Sequence, residues 1–196
     1  MRHGAMPAVA TISILLAGTA ILIVPGGLMV PAGHEVTQSR LIAAIGPELS
    51  LSDLSDRAVI VALVSPVPGS HSHWNSSDNQ PWEADEDSGL QPMILTDQPV
   101  TVLRAWRGAR AGDTIAVRTI GGKVGATQII YENGGALTGS ETYIVFLQRD
   151  DWRGKDIVDT DVVSPVGLEQ GVFVKTEASF SNAAGLTVTL DELSGL

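Results

Sequence analysis

The sequence predicts an all-β domain with minor α content, a barrel or sandwich of five to seven short strands behind a hydrophobic N-terminal helix. Three observations carry that expectation. Beyond position 51, short apolar runs alternate with polar residues at the two-residue period of half-buried strands. Glycine-rich turns separate these runs at close intervals, with 21 glycines in 196 residues, which suits hairpins better than helical crossovers. There is no cysteine, so burial alone must hold the fold, without disulfides or thiolate metal sites.

Residues Ala8–Val24, AVATISILLAGTAILIV, are seventeen uncharged residues preceded only by Arg2 and His3. A basic start followed by an apolar run is the layout of a secretory signal. Extending the run past Pro25-Gly26-Gly27 to Val30 gives 23 residues, enough to cross a bilayer as an anchor. Val30-Pro31-Ala32 offers small residues for a peptidase ahead of Gly33. Residues 1–32 therefore read as a signal peptide or an N-terminal membrane anchor. The rest is expected outside the cytoplasm, secreted or tethered, touching the membrane only through this segment.

Residues 33–50 lack aromatics and read as a linker. Ser50 or Ser52 can cap a short helix whose first-turn acids, Asp53 and Asp56, complement the helix dipole. Ala58–Val64, AVIVALV, is a β-branched run suited to a buried strand. All nine aromatics lie at or beyond Trp74, so the β-barrel domain is placed at 51–196, with an irregular insertion at about 65–92. In PVTVLRAW, Val100, Val102 and Trp106 fall on one face; Ile115, Val117 and Thr119 alternate likewise, after a glycine-containing turn at 107–113. Tyr143–Leu147 reads as a central strand, Val172–Thr176 as another. Leu186, Val188 and Leu190 close the series.

Taken in order, AVIVALVSPV, TVLRAWRGARAGDTIAVRTIGG, TGSETYIVFLQ and VVSPVGLEQGVFVK resemble small exported bacterial domains of unassigned function. The likeness spans roughly Leu51 to Lys175. It implies an OB-like, netrin-like barrel, the five-stranded fold of tissue inhibitors of metalloproteinases. Those inhibitors place an N-terminal cysteine amine on a protease zinc, a mechanism that cannot pass to a chain without cysteine.

Charge narrows the partners. With 12 Lys+Arg against 22 Asp+Glu the formal charge is −10, and −11 once residues 1–32 are removed, so no nucleic-acid partner is expected. The stretch 65–92 contains His71-Ser72-His73, Trp74, Trp82 and the acids Asp78, Glu83, Asp85, Glu86 and Asp87. Histidines two apart project to one side of an extended chain, so His71 and His73 are the candidate metal ligands, for a divalent ion. The competing view is a solvated polar loop, with the tryptophans as a contact surface or folded over the barrel mouth.

Gly121-Gly122-Lys123-Val124-Gly125 lacks the Ser or Thr a phosphate loop needs after its lysine, and reads as a turn. Asp150, Asp151, Asp156, Asp159 and Asp161 around Trp152–Lys155 read as a hairpin turn with solvated acids. Arg104, Arg107, Arg110, Arg118 and Lys123 cluster near the second hairpin and are expected to balance acids across strands. No catalytic motif is present: no G-x-S-x-G elbow, no zinc-helix signature, and no histidine outside the 71–73 pair placed for a triad. The expectation is a non-enzymatic domain, without catalytic residues or cofactor, that binds a protein or glycan. The alternative is a metal-binding protein or metal-dependent hydrolase built on His71 and His73.

Overall fold

The computed structural model describes residues 37–41, 47–84, 90–131, 134–139, 141–150 and 162–195. The expected N-terminal hydrophobic helix lies outside them, and among the described residues no helix is long and apolar enough to cross a membrane. In chain order the elements are β1 (Thr37–Leu41), α1 (Leu51–Arg57), β2 (Ile60–Pro66), β3 (His71–Trp74), β4 (Ile94–Arg107), β5 (Thr114–Ile120), β6 (Gly122–Val124) and β7 (Thr127–Tyr131). There follow β8 (Tyr143–Arg149), β9 (Val163–Pro165), a 3₁₀ turn (Leu168–Gly171), β10 (Val172–Lys175), β11 (Phe180–Ser181), β12 (Thr187–Val188) and α2 (Leu190–Leu193).

The protein is mostly β, and five of its strands close into a barrel. Strands β8, β2, β4 and β5 lie side by side as antiparallel neighbours, the 4-1-2-3 order of a Greek key. Strand β9 pairs antiparallel with β8 and parallel with β5 through Val117 and Val163, which completes the ring. β10 joins the same edge of β8 beyond the 3₁₀ turn and carries β11 and β12 outward.

A second sheet of three strands has β7 in the middle, antiparallel to β6 and parallel to β1. The stretch expected to be a linker thus contributes a strand. TQSRL carries no apolar alternation, so its pairing with β7 left no period to read. The turn expected at 121–125 falls one step later, at Gly125-Ala126, because Gly122–Val124 is itself a strand.

Strand alternation builds two apolar layers. Ala62, Val64, Val100, Val102, Val117, Val145 and Leu147 fill the barrel interior. Val61, Ile144 and Phe146, on the opposite faces of β2 and β8, pack outward against Leu54 of α1, Phe173, Phe180, Val188 and Leu193 of α2. β8 is therefore buried on both faces, which is why YIVFL is a continuous apolar run.

β4 is fourteen residues long and bulged. Against β2 its partners step from Arg107 to Ala105 and from Arg104 to Val102, leaving Trp106 and Leu103 as extra residues. Each bulge bends the strand and resets its alternation. Val100 and Val102 consequently point inward as expected, whereas Trp106 packs with the outer layer.

Both helices are set by reciprocal caps. Ser50 Oγ accepts from the Asp53 amide at 3.2 Å while the Asp53 carboxylate accepts from the Ser50 amide at 3.0 Å. Thr189 and Glu192 repeat the arrangement at α2, so the expected strand through Leu190 stops at Val188 and turns helical. Arg107 reaches the other end of α1, its guanidinium donating to the carbonyls of Ser55 and Ala58.

The turn after β4 requires Gly108. Its φ is +71°, and a Cβ there would stand 1.9 Å from the Val59 carbonyl oxygen, a backbone atom that cannot swing aside. The left-handed conformation alone costs a non-glycine residue roughly 1–2 kcal/mol. Gly108→Ala is expected to destabilise by about 3 kcal/mol or more, read as a lower urea midpoint in equilibrium unfolding.

Candidate functional site

The two histidines singled out in the sequence sit on β3, at the outer face of the sheet. Register places His71 opposite Asp97 of β4, and Asp97 opposite Arg118 of β5. The His71 and His73 rings stack with centroids 5.9 Å apart, as expected for residues two apart on a strand. Beyond that they differ. His71 is exposed, while both ring nitrogens of His73 face partners. Nδ1 donates to the Trp74 carbonyl at 2.9 Å, and Nε2 lies 3.4 Å from Asp97 Oδ2.

Asp97 in turn receives a two-pronged bond from Arg118, Nε to Oδ1 at 2.7 Å and Nη2 to Oδ2 at 2.8 Å. The remaining Arg118 nitrogen, Nη1, reaches Asp150 Oδ2 at 3.1 Å. The Arg118 and Asp150 side chains are 5% and 2% exposed, so this is a buried ion network rather than a solvated turn. The expected balance of arginines against acids holds for Arg118; Asp150 is not a solvated acid, because the arginine across the seam draws it inward. Residues 151–161 of that expected turn lie outside the described residues.

Titration follows from these contacts. The Asp97 hydrogen bond raises the His73 pKa above its ordinary 6.5 against the opposing effect of burial, with help from the Trp74 carbonyl. Burial pushes Asp97 up, but the Arg118 and His73 hydrogen bonds outweigh it and hold the carboxyl well below the usual carboxylate range. A metal on His73 would have to displace either the Asp97 contact of Nε2 or the Trp74 carbonyl contact of Nδ1. Among the described residues no three or more His, Cys, Asp or Glu side chains are arranged to hold an ion; Asp85, Glu86 and Asp87 lie outside them.

The insertion at 65–92 is stapled where it is described. Asn75 is fully buried. Its Oδ1 accepts from the Met93 amide at 2.7 Å and from Trp82 Nε1 at 3.1 Å, and its Nδ2 donates to the Gln91 carbonyl at 2.8 Å. Trp74 is 8% exposed, so it packs within the fold and offers no contact surface. The composition of this stretch reads as a loop because its order comes from the short β3 ladder and from buried polar groups such as Asn75 rather than from any periodic apolar pattern.

Opposite the histidines, on the inner face of the same strands, the barrel opens. The interior stripe Val102, Val100 of β4 continues as Gln98 and Thr96, and Val117 of β5 continues as Thr119, so an apolar interior becomes a polar mouth. These residues line a cleft of about 360 Å³ walled on its other side by Gln128–Tyr131 of β7 and by Ala136–Thr138. Two adjoining hollows extend it. One, about 470 Å³, runs along Pro66–Ser70, and the other, about 240 Å³, runs past Tyr131 to Glu169 and Val174. Leu137 caps the interior, held by Tyr143, whose hydroxyl donates to the Thr138 carbonyl and accepts from the Thr138 amide at 3.2 Å.

A chain of hydroxyls fixes the mouth. Thr96 Oγ1 donates to the Gly121 carbonyl at 2.6 Å, so in its 2.8 Å contact with Ser72 the serine is the donor. Gly122 packs directly over this pair; a Cβ on it would lie 2.3 Å from Thr96 Oγ1 and 2.4 Å from Ser72 Oγ. Ser72 is thereby tied to the face opposite His73 and cannot serve as its nucleophile. Nothing in the sequence marked this cleft, because strands distant in the chain supply its polar groups. The period-two continuation of the inward stripe to Gln98 and Thr96 was the available signal.

Comparison with protein-family models, with curated proteins and with solved structures finds no match.

Two outcomes test the ion network. Arg118→Met removes the buried cation that Asp97 and Asp150 share and is expected to destabilise by about 3–5 kcal/mol in urea unfolding; Arg118→Lys recovers only part, lacking the forked donor geometry. Because the folded-state pKa of His73 is raised, its contribution is fully present below about pH 6.5 and is lost as pH rises through the raised value. Melting curves of the wild type should therefore fall across that window, and His73→Gln should flatten the dependence.

Proposed function

We propose that this is an exported, non-enzymatic binding domain, released or tethered by its N-terminal segment, that takes a protein or glycan partner at the barrel mouth. The observation that carries it is the run of three adjoining hollows along a polar rim over a capped apolar interior; barrel mouths are a common place for ligand sites. The Greek-key order of β8–β2–β4–β5 closed by a fifth strand supports an OB-type barrel, in keeping with the resemblance to small exported domains. Export and tethering rest on residues 8–24. The formal charge of −10 argues against nucleic acid. The non-enzymatic reading is supported by the commitments of His73 and Ser72 to structural partners on opposite faces. The metal-dependent alternative rests on His71 and His73 and would require His73 to release Asp97 or the Trp74 carbonyl.

The full chain is expressed in an exporting bacterial host, and its mass and fraction are determined. Loss of about the first thirty residues or retention in the membrane fraction is expected; full-length protein in the cytosol overturns export. The purified protein is screened on peptide and glycan arrays beside Gln98→Arg, which sets a bulky charge in the mouth. Loss of binding in Gln98→Arg, with folding intact by circular dichroism, is expected; binding unaffected by that change overturns the mouth as the site.

A further inference from the structure

The mouth carries uncharged polar groups with no internal partner. Both Gln98 Nε2 hydrogens are used, on the Val67 and Pro99 carbonyls at 2.8 Å each, but its Oε1 accepts nothing among the described residues. The side chains of Ser70, Gln128, Tyr131 and Thr138 make no hydrogen bond among the described residues. Together they offer amide and hydroxyl donors and acceptors around an apolar floor at Leu137 and a half-buried aromatic ring. Among the described residues no Lys, Arg, Asp or Glu lines the two larger hollows, and Glu169, at the far end of the smallest, is the one charged residue lining any of the three.

We infer that the barrel mouth binds a neutral, hydroxyl-rich oligosaccharide through Gln98, Gln128, Tyr131, Thr138 and Ser70. The inference rests on the mouth being the binding site and names the ligand class it takes. A phosphorylated, sulfated or uronate-rich ligand would meet no cation among the described residues of the cleft and would approach a strongly acidic protein, so anionic glycans and nucleic acids find little counter-charge there. An extended peptide commonly gains affinity by adding a strand to an open sheet edge, and the walls offer little such edge. β7 is flanked by β1 on one side and β6 on the other, and Thr96 and Asp97 of β4 are flanked by β3 and β5. Recognition falls to side chains, and the available set matches sugar hydroxyls as donors and acceptors at once. Burial raises the Tyr131 pKa, which keeps its phenol a neutral donor throughout the working range. The ring and Leu137 supply apolar surface for the C–H face of a pyranose.

Exported protein is titrated by calorimetry with cellopentaose, maltopentaose, mannopentaose and chitopentaose, with pentagalacturonate as the anionic probe and a random-sequence peptide library as the third class. Binding of at least one neutral pentasaccharide is expected, weakened about 5- to 10-fold by Gln128→Ala and by Tyr131→Phe, each the loss of one hydrogen-bonding group. Both variants are checked by circular dichroism and melting, and Lys123→Ala, on the exposed strand beside the cleft, is the control expected to bind as the wild type does. Preference for pentagalacturonate or for peptides, weakened by Gln128→Ala or Tyr131→Phe, overturns the neutral-glycan inference and leaves the mouth as a binding site. Neutral-sugar binding that Gln128→Ala, Tyr131→Phe and Gln98→Arg all leave unchanged overturns the mouth itself. Absence of binding to every neutral pentasaccharide at millimolar concentration overturns the inference.

Discussion

The barrel depends on one buried charge. Its seam between β5 and β9 is a single parallel residue pair, Val117 with Val163, far thinner than the seven-residue ladder between β4 and β5. Arg118, the next residue along, spans that seam: it grips Asp97 on one side and Asp150, just beyond β8, on the other. Three of the five barrel strands are thus clamped by one guanidinium where main-chain pairing is sparsest. Arginine suits this position because its planar fork can hold one carboxylate with two bonds and still direct a third donor elsewhere.

That clamp also separates the two faces of the sheet chemically. On the outer face the charges neutralise one another in the order His73, Asp97, Arg118, Asp150, and the network is engaged with itself. On the inner face the same strands carry Thr96, Gln98 and Thr119, which have no ionic partner. A strand residue points to one face or the other, never both, so a single ladder can be held rigid by charge on one side and present neutral polar groups on the other. His71 and His73 fall on the clamped side. There His73 is held between Asp97 and the Trp74 carbonyl, while His71 stacks on it and is exposed.

Much of the barrel was legible. Apolar alternation gave the strands at 60–66, 114–120 and 143–149 because each has buried neighbours at period two or is buried on both faces. The sequence offers Ser50 or Ser52 as the cap of α1, and the structure uses Ser50, reciprocally bonded to Asp53. The equivalent pair at Thr189 and Glu192 stood equally plain in the sequence, but the alternation of Leu186, Val188 and Leu190 masked it; a reciprocal cap won over a three-point apolar period. Trp106 was misplaced because a bulge is invisible to any fixed period: the extra residue at 103 reverses the parity of all that follows until 106 restores it.

The mouth was illegible for a different reason. Its groups come from the turn after β2, from β4, from β7 and from the segment 134–139, and each is an ordinary polar residue in its own stretch. Only the placement of the three-stranded sheet against the barrel puts Gln98 across the cleft from Gln128 and Tyr131. Metal-ligating residues announce themselves by type, so the eye goes to His71 and His73, whereas amides and hydroxyls are everywhere on a protein surface and become informative only when several lie unpaired around one hollow. A site of that kind is defined by what its groups fail to bond internally, and this follows from the folded chain as a whole. The ion network matches its charged groups to one another, whereas the mouth keeps the Gln128, Tyr131, Thr138 and Ser70 side chains without a hydrogen bond among the described residues.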